Sequence, residues 1–186
     1  MSFWTEATSE PKRNFRFQVS IVGFGTDSVI WWAKNFKTPS YDVSETTHDY
    51  LDNKYYFPGR LTWADCTMTL VDPVSPNAAA LTNNIILNSG YSVKDQGSTP
   101  STMGKANSVA AVGAVITTIF NADGDPIEEW TLKNAFLKGA TYSDLSYDND
   151  DLRTIDLTWR YDWAECDHAD ETKAAFRDQF RISPTS

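Results

Sequence analysis

Histidine and cysteine are common zinc ligands and take part in many nucleophilic mechanisms, and this sequence has two of each. Cys166 and His168 could supply two metal ligands, but a zinc site needs three or four and no second cluster is visible. A Ser-His-Asp or Cys-His mechanism would need His48 or His168 held in a cleft, and they fall in a polar hairpin and in the tail. The sequence therefore predicts neither a metal site nor nucleophilic catalysis. Because no secretion signal is visible, Cys66 and Cys166 are expected to be separate reduced thiols.

Carboxylates and glycines offer two further kinds of chemistry. The acidic clusters at 123–125 and 148–151 lack the spacing of ligands, glycine and closing glutamate of a calcium loop, so we expect solvated turns. Asp156 and Asp162 are separated by about 20 Å at strand rise, too far for an acid–base pair. The Gly-Phe-Gly at 23–25 lacks the third glycine and the following helix of a dinucleotide loop, which favours a hairpin turn. No enzyme and no cofactor are expected.

The composition indicates one acidic domain. The 186 residues include 41% hydrophobic and 13% aromatic residues, which excludes a disordered chain. A net charge of −9 argues against a protein that grips nucleic acid through its phosphates. Neither an apolar run of about 18 residues nor a signal peptide is visible, so no membrane association is expected.

The stretch 152–163, LRTIDLTWRYDW, has a period of two, which predicts a long antiparallel strand with one packed face and one wet face. The packed face would carry Ile155, Leu157, Trp159, Tyr161 and Trp163. The other face would carry Thr154, Asp156, Thr158, Arg160 and Asp162. Trp159 and Trp163 are therefore assigned to the core rather than to a carbohydrate platform. Trp31 and Trp32 are consecutive, so one indole must point outward unless another subunit covers it.

Strand patterns dominate the rest of the chain. Alternation predicts strands at 14–22, 28–36, 61–72, 110–120 and 127–136. The first would pack Phe15, Phe17, Val19 and Ile21 on one face, and the third would pack Ala64, Cys66, Met68 and Leu70. An Asp123-Gly124 turn joins the last two strands. A hairpin at 40–58 is polar on both sides, so we expect it to project and to pack on something else.

One helix is predicted between these strands. Its end signals are Ser75 as N-cap, Pro76 in the first position and Gly90 past the end, and its apolar stripe is Ala78, Leu81 and Ile85. Residues 91–108 are predicted to form a loop. The order of elements predicts a mainly β fold, an antiparallel β-sandwich or barrel with one flanking helix. We divide the chain into an N-terminal arm (1–13), a β domain (14–163) and a partly helical C-terminal extension (164–186).

Three segments share their order and spacing with one protein family. EPKRNFRFQVSIVG has a proline, an Asn-Phe pair, alternating residues and a glycine, and PGRLTWADCTMTLVD has Gly-Arg-x-x-Trp and a final aspartate just before the helix. The segment 128–163 combines a Trp-x-Leu strand, a small-then-aromatic step, an acidic bend with Leu-Ser-Tyr and a long last strand with Tyr-Asp. Over roughly 10–163 the chain thus resembles the tail tube proteins of contractile-tailed bacteriophages.

The resemblance implies a β-sandwich or barrel core with one flanking helix, six copies of which form a ring. Stacked rings form a hollow tube whose outer surface meets a contractile sheath, and strands of neighbouring subunits join into an inner barrel. The baseplate is a further expected partner. The tape-measure protein and the viral DNA pass through the lumen without specific binding. This implies a structural protein of the virion tail, present in the host cytoplasm before assembly. The tubes of type VI secretion systems and of phage-tail-like bacteriocins share the architecture.

The resemblance also implies where assembly contacts lie. The hairpin at 40–58 is similar to an extended loop that reaches neighbouring subunits and the adjacent ring, and the N-terminal arm is expected to anchor at a partner surface. The expected interface residues are Phe3, Trp4, Trp31, Trp32, Tyr41, Asp42, Glu45, His48, Tyr50, Tyr55 and Tyr56. The candidates for the lumen wall are Asp156, Thr158, Arg160 and Asp162. We expect part of the negative charge to face the lumen, because an acidic wall lets DNA slide.

Other interpretations stay open. A tube subunit of a phage-derived bacteriocin or secretion machine would share the fold and differ in gene neighbourhood. A monomeric β-sandwich that binds a glycan through Trp31 or Trp32 and the loop 91–108 would show sugar-dependent tryptophan fluorescence. An enzyme would need converging carboxylates, which this order of elements does not supply.

Overall fold

The computed structural model describes residues 11–25, 29–91, 102–148 and 150–168. Over these residues it has eleven β-strands and two α-helices. The strands are β1 (Phe17–Ile21), β2 (Val29–Ile30), β3 (Ala33–Phe36), β4 (Tyr41–Tyr50), β5 (Asn53–Trp63), β6 (Cys66–Val71), β7 (Val115–Phe120), β8 (Pro126–Lys133), β9 (Phe136–Tyr142), β10 (Thr154–Arg160) and β11 (Trp163–His168). The helices are α1 (Ala78–Asn88) and α2 (Lys105–Val112), and a short 3-10 turn covers Val22–Phe24.

The strands pair antiparallel and form three sheets. The five-stranded sheet has the order β11-β8-β7-β1-β2, and the four-stranded sheet has the order β3-β6-β10-β9. Strands β4 and β5 pair only with each other in the described residues and are called the hairpin below. The predicted antiparallel β-sandwich is confirmed, with two flanking helices rather than one.

A single apolar core joins the two larger sheets and both helices. The four-stranded sheet contributes Cys66, Met68, Leu70, Ile155, Leu157 and Trp159, all buried. The five-stranded sheet contributes Val19, Ile21, Val115 and Leu132. Every second residue of β6 and the central part of β10 is buried, because alternate side chains of a strand point to opposite faces. The predicted period of two is confirmed for both strands.

The predicted strand 152–163 is two strands. β10 ends at Arg160, the chain turns at Tyr161 and Asp162, and β11 then pairs with β8 in the other sheet. Trp163 is consequently 43% exposed, so its assignment to the core was wrong. The alternation of apolar and polar residues continues through this corner in the sequence. The chain changes sheets there, however, so Trp163 does not lie on the same face as Trp159. β11 also runs to His168, within the segment that was predicted to be partly helical.

The predicted strands near the N-terminus are also shorter than expected. β1 begins at Phe17, and Phe15 is 74% exposed instead of packed. The predicted strand 28–36 divides into β2, which pairs with β1, and β3, which pairs with β6 in the other sheet. The division falls at the two consecutive tryptophans, because there the chain crosses from one sheet to the other.

The helices differ from prediction in their ends and number. Asn77, not Ser75, caps α1: its Oδ1 accepts a hydrogen bond from the backbone N–H of Ala80 at 2.8 Å. α2 occupies residues that were assigned to a loop and to the start of a strand. Its sequence, KANSVAAV, lies between Gly104 and Gly113, and the φ of Gly113 is +70°, a conformation suited to the end of a helix. The two glycines were the available signal for this helix.

Both cysteines are free thiols, as predicted. Burial raises the pKa of Cys66 and of Cys166 to about 11, so neither is a thiolate at neutral pH. Within the described residues, no helix has the length and apolar character needed to cross a bilayer.

Candidate assembly surfaces

The outer face of the four-stranded sheet is largely polar, with Phe136 as an aromatic residue opposite Arg160 at one end of it. It is formed by Thr67, Thr69, Lys138, Gly139, Thr141, Asp156, Thr158 and Arg160, and is called the polar face below. The hydroxyl of Thr69 donates to Asp156 Oδ1 at 2.6 Å across the β6–β10 pair. A threonine-rich, solvated face of this kind suits a strand surface that stays in contact with water.

The charges of the polar face balance one another. Asp65, at the corner before β6, receives hydrogen bonds from Lys138 Nζ at 2.5 Å and from Arg160 Nη1 at 3.0 Å. The hydrogen bond from Lys138 is the main reason that the pKa of Asp65 lies below its usual value. With Asp156 as the second carboxylate, two acids face two bases, so the acidic charge of the chain is not concentrated here.

Three of the four residues considered for a lumen wall lie together on the polar face. They are Asp156, Thr158 and Arg160. Asp162 lies beyond the end of β10, where it accepts hydrogen bonds from Lys105 at 2.6 Å and from Asn134 at 2.8 Å. The bond from Lys105 is the main cause that lowers the pKa of Asp162. Asp162 thus ties α2 to the corner between the two sheets.

The four-stranded sheet ends in two strands with one unpaired side each among the described residues, β3 and β9. Three successive antiparallel pairs separate them, so β3 and β9 run in opposite directions. A strand with an unpaired side presents free N–H and C=O groups to another strand. Copies of the sheet placed side by side in one orientation would therefore meet as an antiparallel β9–β3 pair.

The hairpin is the continuation of β3 and β6 beyond the sheet. The N–H of Lys37 donates to Thr67 O, and the N–H of Ala64 donates to Ser40 O, each at 2.8 Å. These bonds carry the β3–β6 ladder into the β4–β5 ladder through a short bend. Its side chains are exposed along nearly its whole length, which confirms the expected projection from the domain.

The hairpin has exposed apolar side chains on both faces, so the prediction that it is polar almost throughout was wrong. The register places Val43, Tyr56 and Leu61 on one face and Tyr50, Tyr55 and Phe57 on the other. A two-stranded ribbon cannot bury both sets by itself. Contiguous exposed apolar side chains mark interaction sites. Val43 and Phe57 were missed from the sequence although each lies two residues from a selected residue, and Leu61 had been assigned to the strand predicted for 61–72.

The expected interface residues divide into three groups. Tyr41, Asp42, Glu45, His48, Tyr50, Tyr55 and Tyr56 are exposed on the hairpin. Trp31 is 76% exposed, whereas Trp32 is 6% exposed and stacks on Phe24, with ring centroids 5.9 Å apart. The expectation that the two indoles point in opposite directions is confirmed, and Trp32 is a core residue rather than a contact. Phe3 and Trp4 lie outside the described residues.

A second exposed apolar surface lies at the opposite end of the four-stranded sheet from the hairpin. Its members are Val74, Leu145, Tyr147 and Leu152, in the loops that follow β6 and precede β10. The loops are joined by the N–H of Asp72, which donates to Arg153 O at 2.9 Å, and by the Arg153–Asp72 ion pair at 3.5 Å. From the sequence this region was identified only as an acidic bend.

No group of three or more His, Cys, Asp or Glu side chains suited to a metal ion occurs in the part of the chain that the structure describes. Cys166 Sγ and His168 Nε2 lie 3.5 Å apart on β11, as a pair.

No protein-family model and no curated protein matches the chain. Solved structures do match. A chain in the cryo-EM structure of the anti-feeding prophage baseplate, 6-fold symmetrised, is 13% identical, with a TM-score of 0.63 over 86% of this chain and 97% of that one. A chain in the sheath–tube complex of the extracellular contractile injection system PVC, in its extended state, is 18% identical, with a TM-score of 0.60 over 91% and 99%.

A third similar chain comes from the anti-feeding prophage cap, described as a tube-terminating cap. It is 17% identical, with a TM-score of 0.56 over 88% of this chain and 95% of that chain. At these identities the likeness concerns the fold. The protein therefore shares the tube-like β-sandwich fold of chains from contractile injection systems, over nearly their whole length.

Proposed function

We propose that this protein is a structural tube subunit, whose copies close into hexameric rings that stack into a hollow conduit within a contractile sheath. The observation that carries the proposal is the four-stranded sheet with its polar face and its two oppositely directed edge strands, β3 and β9, each unpaired on one side among the described residues. Because the sheet has an even number of antiparallel strands, its two edge strands run in opposite directions. Subunits related by rotation about a ring axis can therefore join their sheets through antiparallel pairs alone. Closure of such a sheet into a barrel removes the edges and leaves the polar face in contact with water.

The two exposed apolar surfaces support stacking in one direction. The hairpin leaves the four-stranded sheet where β6 begins, and the Val74–Leu152 loops lie where β6 ends. Unlike surfaces at opposite ends of a subunit make head-to-tail contacts, which repeat indefinitely instead of closing a dimer. On this proposal, the hairpin contacts other subunits of the ring and of the adjacent ring.

The shared fold supports a contractile machine, because the similar chains come from structures named for a sheath–tube complex, a baseplate and a tube cap. The proposed partners are copies of this chain, a sheath protein and a baseplate. If the tube belongs to a phage, we propose that it is part of the virion tail and that a tape-measure protein and viral DNA pass through it. A bacteriocin or secretion tube is the alternative, and the balanced charge of the polar face suits either cargo, since it neither attracts nor repels strongly.

The proposal is tested by negative-stain electron microscopy of the purified protein, imaged dilute and again after concentration. Six-fold rings or hollow tubes with a channel wide enough for a duplex are expected. A baseplate extract added as nucleus serves as the second condition, because tube subunits can stay soluble until they are nucleated. Monomers under all of these conditions would contradict the proposal.

A glycan-binding β-sandwich is the second candidate, favoured by one observation, the exposure of Trp31. Trp32 is buried, so Trp31 is the one of these two tryptophans that could contact a glycan. This candidate predicts a monomer whose tryptophan fluorescence changes on addition of oligosaccharides, and a Trp31→Ala variant that does not respond.

A further inference from the structure

The direction in which the hairpin projects is determined at one corner of the four-stranded sheet. Between the sheet and the hairpin lie only the short connections 37–40 and 64–65. Because the hairpin is exposed along its length, packing against the domain is confined to its base. A two-stranded ribbon joined through such a bend can swing unless contacts at the bend hold it.

Arg160 binds both sides of this corner. Its Nη1 donates to the carbonyl oxygen of Trp63, the last residue of the hairpin, at 2.9 Å. The same nitrogen donates to Asp65 Oδ1, at the bend, at 3.0 Å, and Arg160 itself is the last residue of β10 in the sheet. The guanidinium is planar and its donors point in fixed directions, so it holds two acceptors in one relative orientation.

Two further contacts hold the acceptors in place. Lys138 Nζ binds the other oxygen of Asp65 at 2.5 Å, so this carboxylate is shared between β9 and β10. The Trp63 ring packs edge-on against Tyr41, with centroids 5.3 Å apart, and lies 5.9 Å from the ring of Tyr161. The base of the hairpin is therefore fixed by the sheet on its polar side and by aromatic packing elsewhere.

We infer that Arg160 is the positioning residue that sets the angle of the hairpin to the sheet and thereby prepares the hairpin for docking on other subunits. The effect of Arg160 on assembly rests on the proposed function, whereas the angle between the hairpin and the sheet is a property of the single subunit. Arg160 thus acts through Trp63 and Asp65, and not as a charge presented to a lumen.

The angle can be measured in the unassembled chain by pulsed electron–electron double resonance. Nitroxides are attached at Thr46→Cys on the hairpin and Asn84→Cys on α1, both exposed, in a Cys166→Ser background where Cys66 is buried and unreactive. With Arg160 present a single narrow distance distribution is expected. In Arg160→Met the narrow peak should be lost. Removal of a charge-assisted hydrogen bond raises the relative population of other hairpin orientations about tenfold or more.

Arg60→Met is the matched control, because Arg60 is an exposed arginine of the hairpin whose backbone N–H, not its side chain, bonds to Ser44 Oγ. It should keep the narrow distribution. If Arg160→Met does not fold by circular dichroism, Arg160→Lys replaces it, with the same direction of change expected. If the folded position-160 variant gives a distance distribution as narrow as that of the chain with Arg160, the inference is overturned.

Electron microscopy of the same variants separates this inference from the tube proposal. Folded Arg160→Met is expected to form fewer and shorter tubes than the native chain. If the native chain forms no rings or tubes, the tube proposal fails while the distance measurement still decides the role of Arg160. If the native chain and Arg160→Met form tubes of equal number and length, the role of Arg160 in assembly is refuted.

Discussion

Leu157 and Thr158 are neighbours in β10, and their side chains have opposite environments. Leu157 is fully buried in the core shared by both sheets, whereas Thr158 lies on the polar face opposite Thr67 and Gly139. The difference follows from the alternation of side chains along a strand. At the residue scale, the core positions determine whether the subunit folds, and the polar positions determine what surface it presents.

Leu157→Ala should destabilise the subunit by about 2–5 kcal/mol, because it removes buried methyl groups and leaves a cavity. Thr158→Ala, one residue further, should change the free energy of unfolding by only about 0.5 kcal/mol. Urea denaturation followed by circular dichroism checks both. Equal destabilisation of the two variants would contradict the assignment of the faces.

Asp65 predicts a pH dependence of stability. Its pKa is lowered from 3.8, chiefly by the hydrogen bond from Lys138 and also by Arg160, with burial opposing them. A carboxyl whose pKa is lower in the folded state contributes stability that is full above its unfolded pKa and lost as pH falls through its folded pKa. Asp65→Asn should therefore be less stable than the native chain at neutral pH, by about 1 kcal/mol at most for a partly exposed pair.

The difference between the native chain and Asp65→Asn should disappear in acid, below the folded pKa of Asp65. Urea titrations at neutral pH and in acid measure it. Asp123→Asn is the control, since that exposed turn carboxylate has no ion pair among those found in the described residues. A constant difference across this pH range would refute the coupling of Asp65 to Lys138.

Among the elements, the hairpin differs from every other pair of strands. β6 and β10 each alternate between the core and the solvent, whereas β4 and β5 are exposed on both faces and carry aromatic side chains on both. Such a ribbon contributes little to the stability of the isolated subunit, because it buries little apolar surface within it. Its exposed aromatic side chains gain burial only against other molecules.

Removal of the hairpin should therefore separate folding from assembly. Tyr41 and Trp63 are cross-strand partners, so an Asn-Gly turn can join them in place of residues 42–62. The shortened chain is expected to unfold cooperatively with nearly unchanged stability and to form no tubes. Circular dichroism and electron microscopy measure the two properties, and long tubes from the shortened chain would contradict the assembly role of the hairpin.

The whole molecule is an acidic unit with unlike ends. Carboxylates exceed basic side chains at both ends of the subunit. The hairpin has Asp42, Glu45, Asp49 and Asp52 against Lys54 and Arg60, and the loops at the other end have Asp144, Asp148, Asp150 and Asp151 against Arg153. Like charges at both ends oppose stacking, while the exposed apolar side chains of both ends favour it.

Added salt should therefore promote assembly. The Debye length falls from about 10 Å at 0.1 M to about 3 Å at 1 M, which screens the repulsion between acidic subunits and leaves apolar contacts intact. Light scattering and electron microscopy along a sodium chloride series should show more and longer tubes as salt rises. Dissolution of tubes by salt would mean that ion pairs, and not apolar contacts, hold the rings together.

The local features were predictable from the sequence. The alternation in β6 and in β10 as far as Tyr161, the projection of the hairpin, the free cysteines and the opposite directions of Trp31 and Trp32 follow from chemistry within a few residues. The order of the elements and the quoted segments sufficed for the antiparallel β-sandwich and for the resemblance to a tube family.

The features that depend on distant partners required the fold. Asp162 follows the same alternation as Asp156, yet the chain changes sheets beside it, and Trp163 becomes half exposed for the same reason. α2 is stabilised by contacts with α1 and β9, which its eight residues do not reveal. The bonds from Arg160 to Trp63 and Asp65 join residues nearly a hundred positions apart. Periodicity is a property of a single strand, whereas sheet membership and long-range hydrogen bonds depend on where the chain returns.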